Sequence, residues 1–239
     1  MVDAERLKRV NSLDALMIAA RHGGFGVKKG DKLAGTRVIP LVIEREKVEA
    51  ARAVAGERPL LELHPFTPKK VGIVTTGSEV QKGLIQDAFT PVLKKKVAEY
   101  GCEVMGQVCP GDDTAAITAA ILDFQAHGAG LVLCSGGMSV DPDDKTPLAI
   151  RNTGARVVTY GAPVLPGAML MVSYLNQTVP VVGLPGCVMY AKRTVFDLVL
   201  PLLMAGVPVT KDYIAALGHG GLCLDCPVCT FPQCGFGRG

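Results

Sequence analysis

"CSGGMSVDPDDKTP", residues 134–147, ends an apolar run in two glycines and then sets Asp141, Asp143 and Asp144 within four positions. The run that leads into it, "GLVLC", has the length and composition of a buried strand. Gly136 and Gly137 let backbone N–H groups approach a ligand without a Cβ in the way. Carboxylates at this density exceed what a plain surface loop needs. Beside a phosphate cradle they would hold Mg²⁺, which takes one or two carboxylates and completes its shell with water and ligand phosphate. The plainer reading is that one of them caps a helix starting near Pro147. A calcium-binding EF-hand is excluded, because the sixth position from Asp141 is Thr146 instead of Gly and the twelfth is Asn152 instead of Glu.

Working outward, the chain from Val71 alternates between strand and helix patterns. "KVGIVTTG", "CEVMGQV", "GLVLC", "ARVVTY", "AMLMVSYL" and "PVVGL" read as strands. "DAFTPVLKKKVAEYG" reads as a helix with Phe89, Leu93 and Val97 on one face, and Lys94, Lys95 and Lys96 as its solvated face. "DDTAAITAAILDFQAHG" reads as a helix capped at its start by the acid pair Asp112-Asp113, with Ile117, Ile121 and Phe124 inward. A last long helix is expected over "CVMYAKRTVFDLVLPLLMAG". This alternation predicts an α/β three-layer sandwich with a mostly parallel sheet. Residues 1–66 predict a small N-terminal α+β unit: a helix around "SLDALMIAARHG", a strand at "GTRVIPLVI", a helix at "REKVEAARAVAG" and a short strand at "LLELHPF".

Three glycine turns each follow an apolar strand: "TTGSE" (75–79), "SGGMS" (135–139) and "LPG" (184–186). In an open parallel sheet they should meet in the crevice beyond the strands' carboxyl ends. Gly77, Gly136, Gly137 and Gly186 would admit an anion, Ser78, Ser135 and Ser139 would supply hydroxyls, and the helix expected after Gly186 would add a positive dipole end. Asp87, which follows the loop "QKGLIQD", is the further acid expected to act there, whereas capping suffices for Asp112.

Composition narrows the classes. The 239 residues are 49% hydrophobic and carry a net charge of only +3, so a large core fits and a nucleic-acid partner does not. Trp is absent and aromatics are 5%, which leaves little for base stacking. No window reaches the roughly 18 apolar residues of a membrane span, and the N-terminus lacks the apolar core of a signal peptide. A cytoplasmic location is expected.

Taken in order, "VGIVTTGSEV", "GLIQDAF", "GDDTAAI", "SGGMSVDPDDKT", "VLPGAML" and "VVGLPGCVMYAKRTVFDLVLPLL" resemble the motifs of the molybdopterin-binding family. That family includes molybdopterin molybdenumtransferase and molybdopterin adenylyltransferase, and the resemblance covers residues 67–207. It implies a pterin-phosphate site lined by Thr76, Gly77, Ser78, Ser135, Gly136, Gly137, Ser139, Pro185 and Gly186. Glu79, Asp87 and Asp144 fall where the family keeps its functional acids, with Asp144 and Asp141 as implied metal ligands. The implied ligands are molybdopterin or its adenylylated form and Mg²⁺, with nucleotide or molybdate as co-substrate. The implied activity is a transferase of molybdenum cofactor biosynthesis that acts on the pterin phosphate or inserts molybdate. The alternative is a non-catalytic cofactor-binding module whose cysteine tail senses a metal or redox state or docks on a molybdoenzyme maturation partner; a homo-oligomer is expected in either case. Two departures stand out. Asp141 replaces the family's glycine, and Cys187 sits at the first turn of the last helix, where a helix N-terminus would lower a thiol's pKa; a buried structural cysteine is the commoner outcome at such a position.

The tail, 208–239, changes character. Cys223, Cys226, Cys229 and Cys234 form a C-x2-C-x2-C-x4-C run among glycines and prolines. Four thiolates so spaced fit an all-cysteine Zn²⁺ site or an iron–sulfur cluster, and the run approaches the bacterial ferredoxin spacing without matching its last gap. Two disulfides or a flexible extension are the alternatives. The tail is expected to be removable without unfolding residues 67–207.

Overall fold

The computed structural model describes residues 1–14, 16–138 and 144–238. It divides into two compact units, residues 1–65 and 66–239. In the first, α1 (Ala4–Asn11) is capped by Asp3, whose carboxylate accepts from the Arg6 N–H. β1 (Leu16–Ala20) pairs antiparallel with β2 (Ala34–Val38), and α2 (Arg45–Ala55) follows. The expected helix around "SLDALMIAARHG" is therefore corrected. "LMIAA" takes its hydrogen bonds from β2, and the helix lies earlier. The strand expected at "LLELHPF" reduces to one bridge, Val2 to Leu61.

The second unit holds a six-stranded sheet. Its strands are β3 (Lys70–Thr75), β4 (Glu103–Val108), β5 (Leu131–Ser135), β6 (Arg156–Tyr160), β7 (Met171–Leu175) and β8 (Val179–Leu184). They lie in the order β4-β3-β5-β8-β7-β6. β4, β3, β5 and β8 are parallel neighbours, while β7 runs antiparallel to both β8 and β6. This is the mostly parallel α/β sheet the alternation predicts. From β3 the chain goes outward to β4 and returns to β5 on the other side, so the strand order reverses between β3 and β5. Such a reversal opens a crevice at the strands' carboxyl ends, here Thr75 and Ser135.

A single helical turn, α3 (Ser78–Gln81), leaves the end of β3, and α4 (Phe89–Ala98) leads on to β4. The longer helices follow from the apolar spacing. α5 (Thr114–Ala126) and α6 (Thr146–Asn152) cover one face, where Ile117, Ile121, Phe124, Ala149 and Ile150 meet Val74, Val132, Cys134 and Val181. Gly72 is glycine because a Cβ there would enter the Phe124 ring. α4 and α7 (Val195–Met204) are joined by a buried ion pair, Lys96 Nζ to Asp197 Oδ1 at 2.5 Å. Lys94 and Lys95 are exposed as expected, but Lys96 is only 7% exposed. The solvated-face reading is corrected at that residue, whose partner lies 101 positions away.

The long last helix is also corrected. Gly186–Met189 form a 3-10 turn, and α7 restarts at Val195 with a capping box in which Thr194 and Asp197 cap each other's backbone. A short α8 (Lys211–Ala216) follows. The tail then packs back on this unit. Leu165 N–H donates to Gly221 O and Cys223 N–H to Leu165 O, both at 2.8 Å, while Phe236 is 4% exposed.

Candidate functional site

Beyond β3, the turn "TTGSE" begins a cavity of about 400 Å³. Its walls are polar along Thr75–Glu79, with Asp87 and Asp112, and apolar at Val80, Ile85, Phe89 and Met189. The turn is sharp because Gly77 sits at φ +127°, a conformation that side-chain-bearing residues rarely adopt. Asp112 Oδ2 accepts from the Ser78 N–H at 2.8 Å and so pins the turn to the segment that follows β4.

This separates the acid pair. Asp113 is the cap of α5, accepting from Ala116 N–H at 2.8 Å. Asp112, expected to be a cap, instead faces the cavity. It is the site residue that sequence reasoning missed, and the signal was two adjacent acids where a helix start needs one.

Asp87 lines the same cavity but is heavily engaged. Its carboxylate accepts from the N–H groups of Phe89 and Thr90 at 2.8 and 3.1 Å, from the Thr90 hydroxyl at 2.6 Å, from the Thr75 hydroxyl at 3.3 Å, and from the Gln107 amide. Burial pushes this carboxyl up, but the hydrogen bonds from Thr90, Phe89 and Thr75 outweigh it and hold it below the usual range. Asp87 is therefore an anion that opens α4, with little lone-pair capacity left over. Glu79 is exposed on the cavity rim.

The glycine pair stands behind the turn. The Thr76 N–H donates to Ser135 O at 2.7 Å, and the Thr146 hydroxyl bonds both Thr76 Oγ1 at 3.1 Å and Gly136 O at 2.9 Å. A Cβ on Gly136, at φ +86°, would strike the Thr76 carbonyl oxygen. Gly137, at φ +51°, lies close to the Thr76 and Thr146 hydroxyls and to Asp144 Oδ1. The glycines thus let two strand-end turns touch. Ser135 is fully buried, and its hydroxyl has no hydrogen-bond partner among the described residues.

The remaining expected residues fall as follows. Thr76, Gly77, Ser78, Glu79 and Asp87 share the cavity wall. Pro185 precedes the 3-10 turn, and Gly186 has nothing within 4 Å of its Cβ position. With a 3-10 turn there, the expected dipole end of a long helix is absent. Cys187 is half-buried, and burial pushes its thiol up, which accords with the structural reading and not with a lowered thiol. α6 is entered through Lys145, which makes no side-chain cap. Ser139, Asp141 and Asp143 lie outside the described residues.

Residues 72–205 match the model of the probable molybdopterin binding domain. The chain belongs to that family. Its relatives include the molybdopterin molybdenumtransferases of Synechococcus elongatus, 26% identical over 196 residues, and of Haemophilus influenzae, 29% identical over 192. Each alignment covers 77% of this chain but only 46% and 45% of the relative. The chain thus spans less than half the length of these curated relatives. The molybdopterin biosynthesis enzyme MoaB from Thermus thermophilus is a similar solved structure. It is 21% identical, with a TM-score of 0.47, covering 59% of this chain and 98% of that one. Among the described residues, no helix is long and apolar enough to cross a membrane.

Proposed function

We propose that this molybdopterin-binding domain holds the pterin in the cavity at Gly77–Glu79 and takes part in molybdenum cofactor biosynthesis as a transferase acting on the pterin phosphate. The observation that carries the reading is the mixed lining of this cavity. Val80, Ile85, Phe89 and Met189 offer apolar surface for a flat heterocycle, and Ser78, Glu79 and Asp112 offer polar groups in the same cavity. A few polar groups converging in a largely apolar cleft suit one oriented small molecule.

Mg²⁺ fits the acids that face this cavity. Glu79 and Asp112 supply the one or two carboxylates that the ion takes, with ligand phosphate and water completing its shell. Bound there it would offset charge on the phosphate during transfer. Asp87 suits that task less, because its oxygens already accept five hydrogen bonds. The protein's own part is positioning: Asp112 fixes the turn through Ser78, and Thr146 fixes Gly136 against Thr76.

The same engagement of Asp87 favours a second reading, a cofactor-binding module without turnover, since a carboxylate held as an anion is a weak general base. Pterin fluorescence titration tests the site, and turnover of ATP or adenylylated pterin separates the readings. Asp112→Asn and Glu79→Gln should each weaken Mg²⁺-dependent pterin binding about tenfold, roughly 1.4 kcal/mol. Unchanged affinity in both variants would sink the assignment.

A further inference from the structure

The tail builds a second cavity in the same unit, of about 260 Å³, and Cys223, Cys226, Cys229 and Cys234 all line it, together with Lys192 and Arg193. All four cysteines are free thiols. Nothing in the pterin reading uses them.

The question is what four thiols around one void can hold. A Zn²⁺ ion draws its sulfurs to about 2.3 Å from a single centre, which leaves no space between them. Among the described residues, no three His, Cys, Asp or Glu side chains come together so that they could hold a metal ion. The four tail thiols are thus not gathered on one centre, as a mononuclear zinc site gathers its ligands. A four-iron cluster fits a different geometry, since its cysteine ligands stand apart around a core of iron and sulfide. Four thiols that line one cavity supply the four sulfurs that such a core needs.

Charge points the same way. Four thiolates on a cluster core leave a net anion, and burying an anion is costly unless cations face it. Lys192 and Arg193 do. Lys192 Nζ donates to Cys226 O at 2.9 Å and pairs with Asp225 at 3.4 Å, and Arg193 lines the cavity beside Cys229. Arg193 is itself held by the buried Asp197 at 2.9 Å and stacks on the tail's Phe231 at 4.9 Å. Phe231 and Phe236 form an apolar wall with ring centroids 6.1 Å apart. The C-x2-C-x2-C opening matches the ferredoxin spacing, and the longer last gap carries Cys234 to the same cavity.

We infer that the tail cavity binds a [4Fe–4S] cluster on Cys223, Cys226, Cys229 and Cys234, beside Lys192 and Arg193. This goes beyond the pterin site and does not depend on it. Each thiol gives up a proton on ligation, so loading releases protons to solvent.

The test uses the full chain, purified without oxygen and reconstituted with ferric iron, a thiol that reduces half of it to ferrous, and sulfide. Expected are about four irons and about four sulfides per chain, with broad absorption in the blue that bleaches on reduction by dithionite. Cys226 and Cys229 are exposed, so Cys226→Ser and Cys229→Ser should keep the wild-type far-UV circular dichroism. Each should lose most of the iron, while Cys102→Ser retains it. A colourless protein with one Zn²⁺ per chain would overturn the proposal. So would wild-type iron content in both serine variants, which marks the iron as adventitious, or four tail thiols that alkylate freely after reconstitution.

Discussion

Gly136 and Gly186 are both glycines at strand-end turns, yet their surroundings differ. Gly136 sits at φ +86° with the Thr76 carbonyl where its Cβ would be, whereas Gly186 has open space. Gly136→Ala should cost roughly 2–3 kcal/mol in urea unfolding, from left-handed strain plus the contact with Thr76. Gly186→Ala should leave the unfolding midpoint nearly unchanged, which makes it the cleaner probe of ligand approach. Asp87 gives a pH prediction. Its folded pKa is depressed, so its stabilisation is present above the unfolded value of 3.8 and is lost as pH falls through the lower folded value. Asp87→Asn should therefore flatten the acid limb of stability below pH 3.8, measured by thermal unfolding across that range. An acid limb as steep as wild type would show that Asp87 is not held as an anion by its cap.

At the scale of elements, the acid pair at the head of α5 splits into a structural and a site residue. Asp113→Ala removes the bond to Ala116 N–H and should lower stability by about 0.5–2 kcal/mol with ligand handling intact. Asp112→Ala should do the reverse and show its effect in pterin titration. What the sequence made legible were elements whose causes are local: the apolar runs of β3, β5 and β8, and the spacing of Ile117, Ile121 and Phe124 in α5. What it hid had distant causes. "LMIAA" is short enough to read as helix or strand, and only pairing with β2 decides. Lys96 looks like its neighbours until Asp197 is placed beside it. That pair is costly to break from one side, because Asp197 would stay buried with Arg193 as its remaining cationic partner. Lys96→Met should cost about 3 kcal/mol in chemical denaturation, and the exposed Lys95→Met less than about 0.5. The break before α7 had a local signal in Thr194 and Asp197, a capping pair within an otherwise helical run.

At the scale of the molecule, the cysteine run reads as an appendage in sequence, yet it is built into the larger unit. Gly237 packs where any Cβ would strike Leu198 of α7, and its N–H donates to Gly220 O at 2.9 Å. Arg193 bridges Asp197 and Phe231, and Leu165 trades backbone hydrogen bonds with Gly221 and Cys223. Deleting residues 218–239 therefore exposes part of the Leu165–Leu198 surface and leaves the Leu165 N–H and C=O to water. The sheet closes without the tail, so the truncated chain should still fold. Loss of the buried Phe236 alone removes about 1.5–3 kcal/mol of apolar stabilisation. For a chain of this size that corresponds to a melting temperature lower by roughly 3–10 °C. Differential scanning calorimetry of the full and truncated chains, both without added iron, measures this directly. An unchanged melting temperature would mean that the tail's contacts with Leu165, Arg193 and Leu198 contribute nothing to the fold.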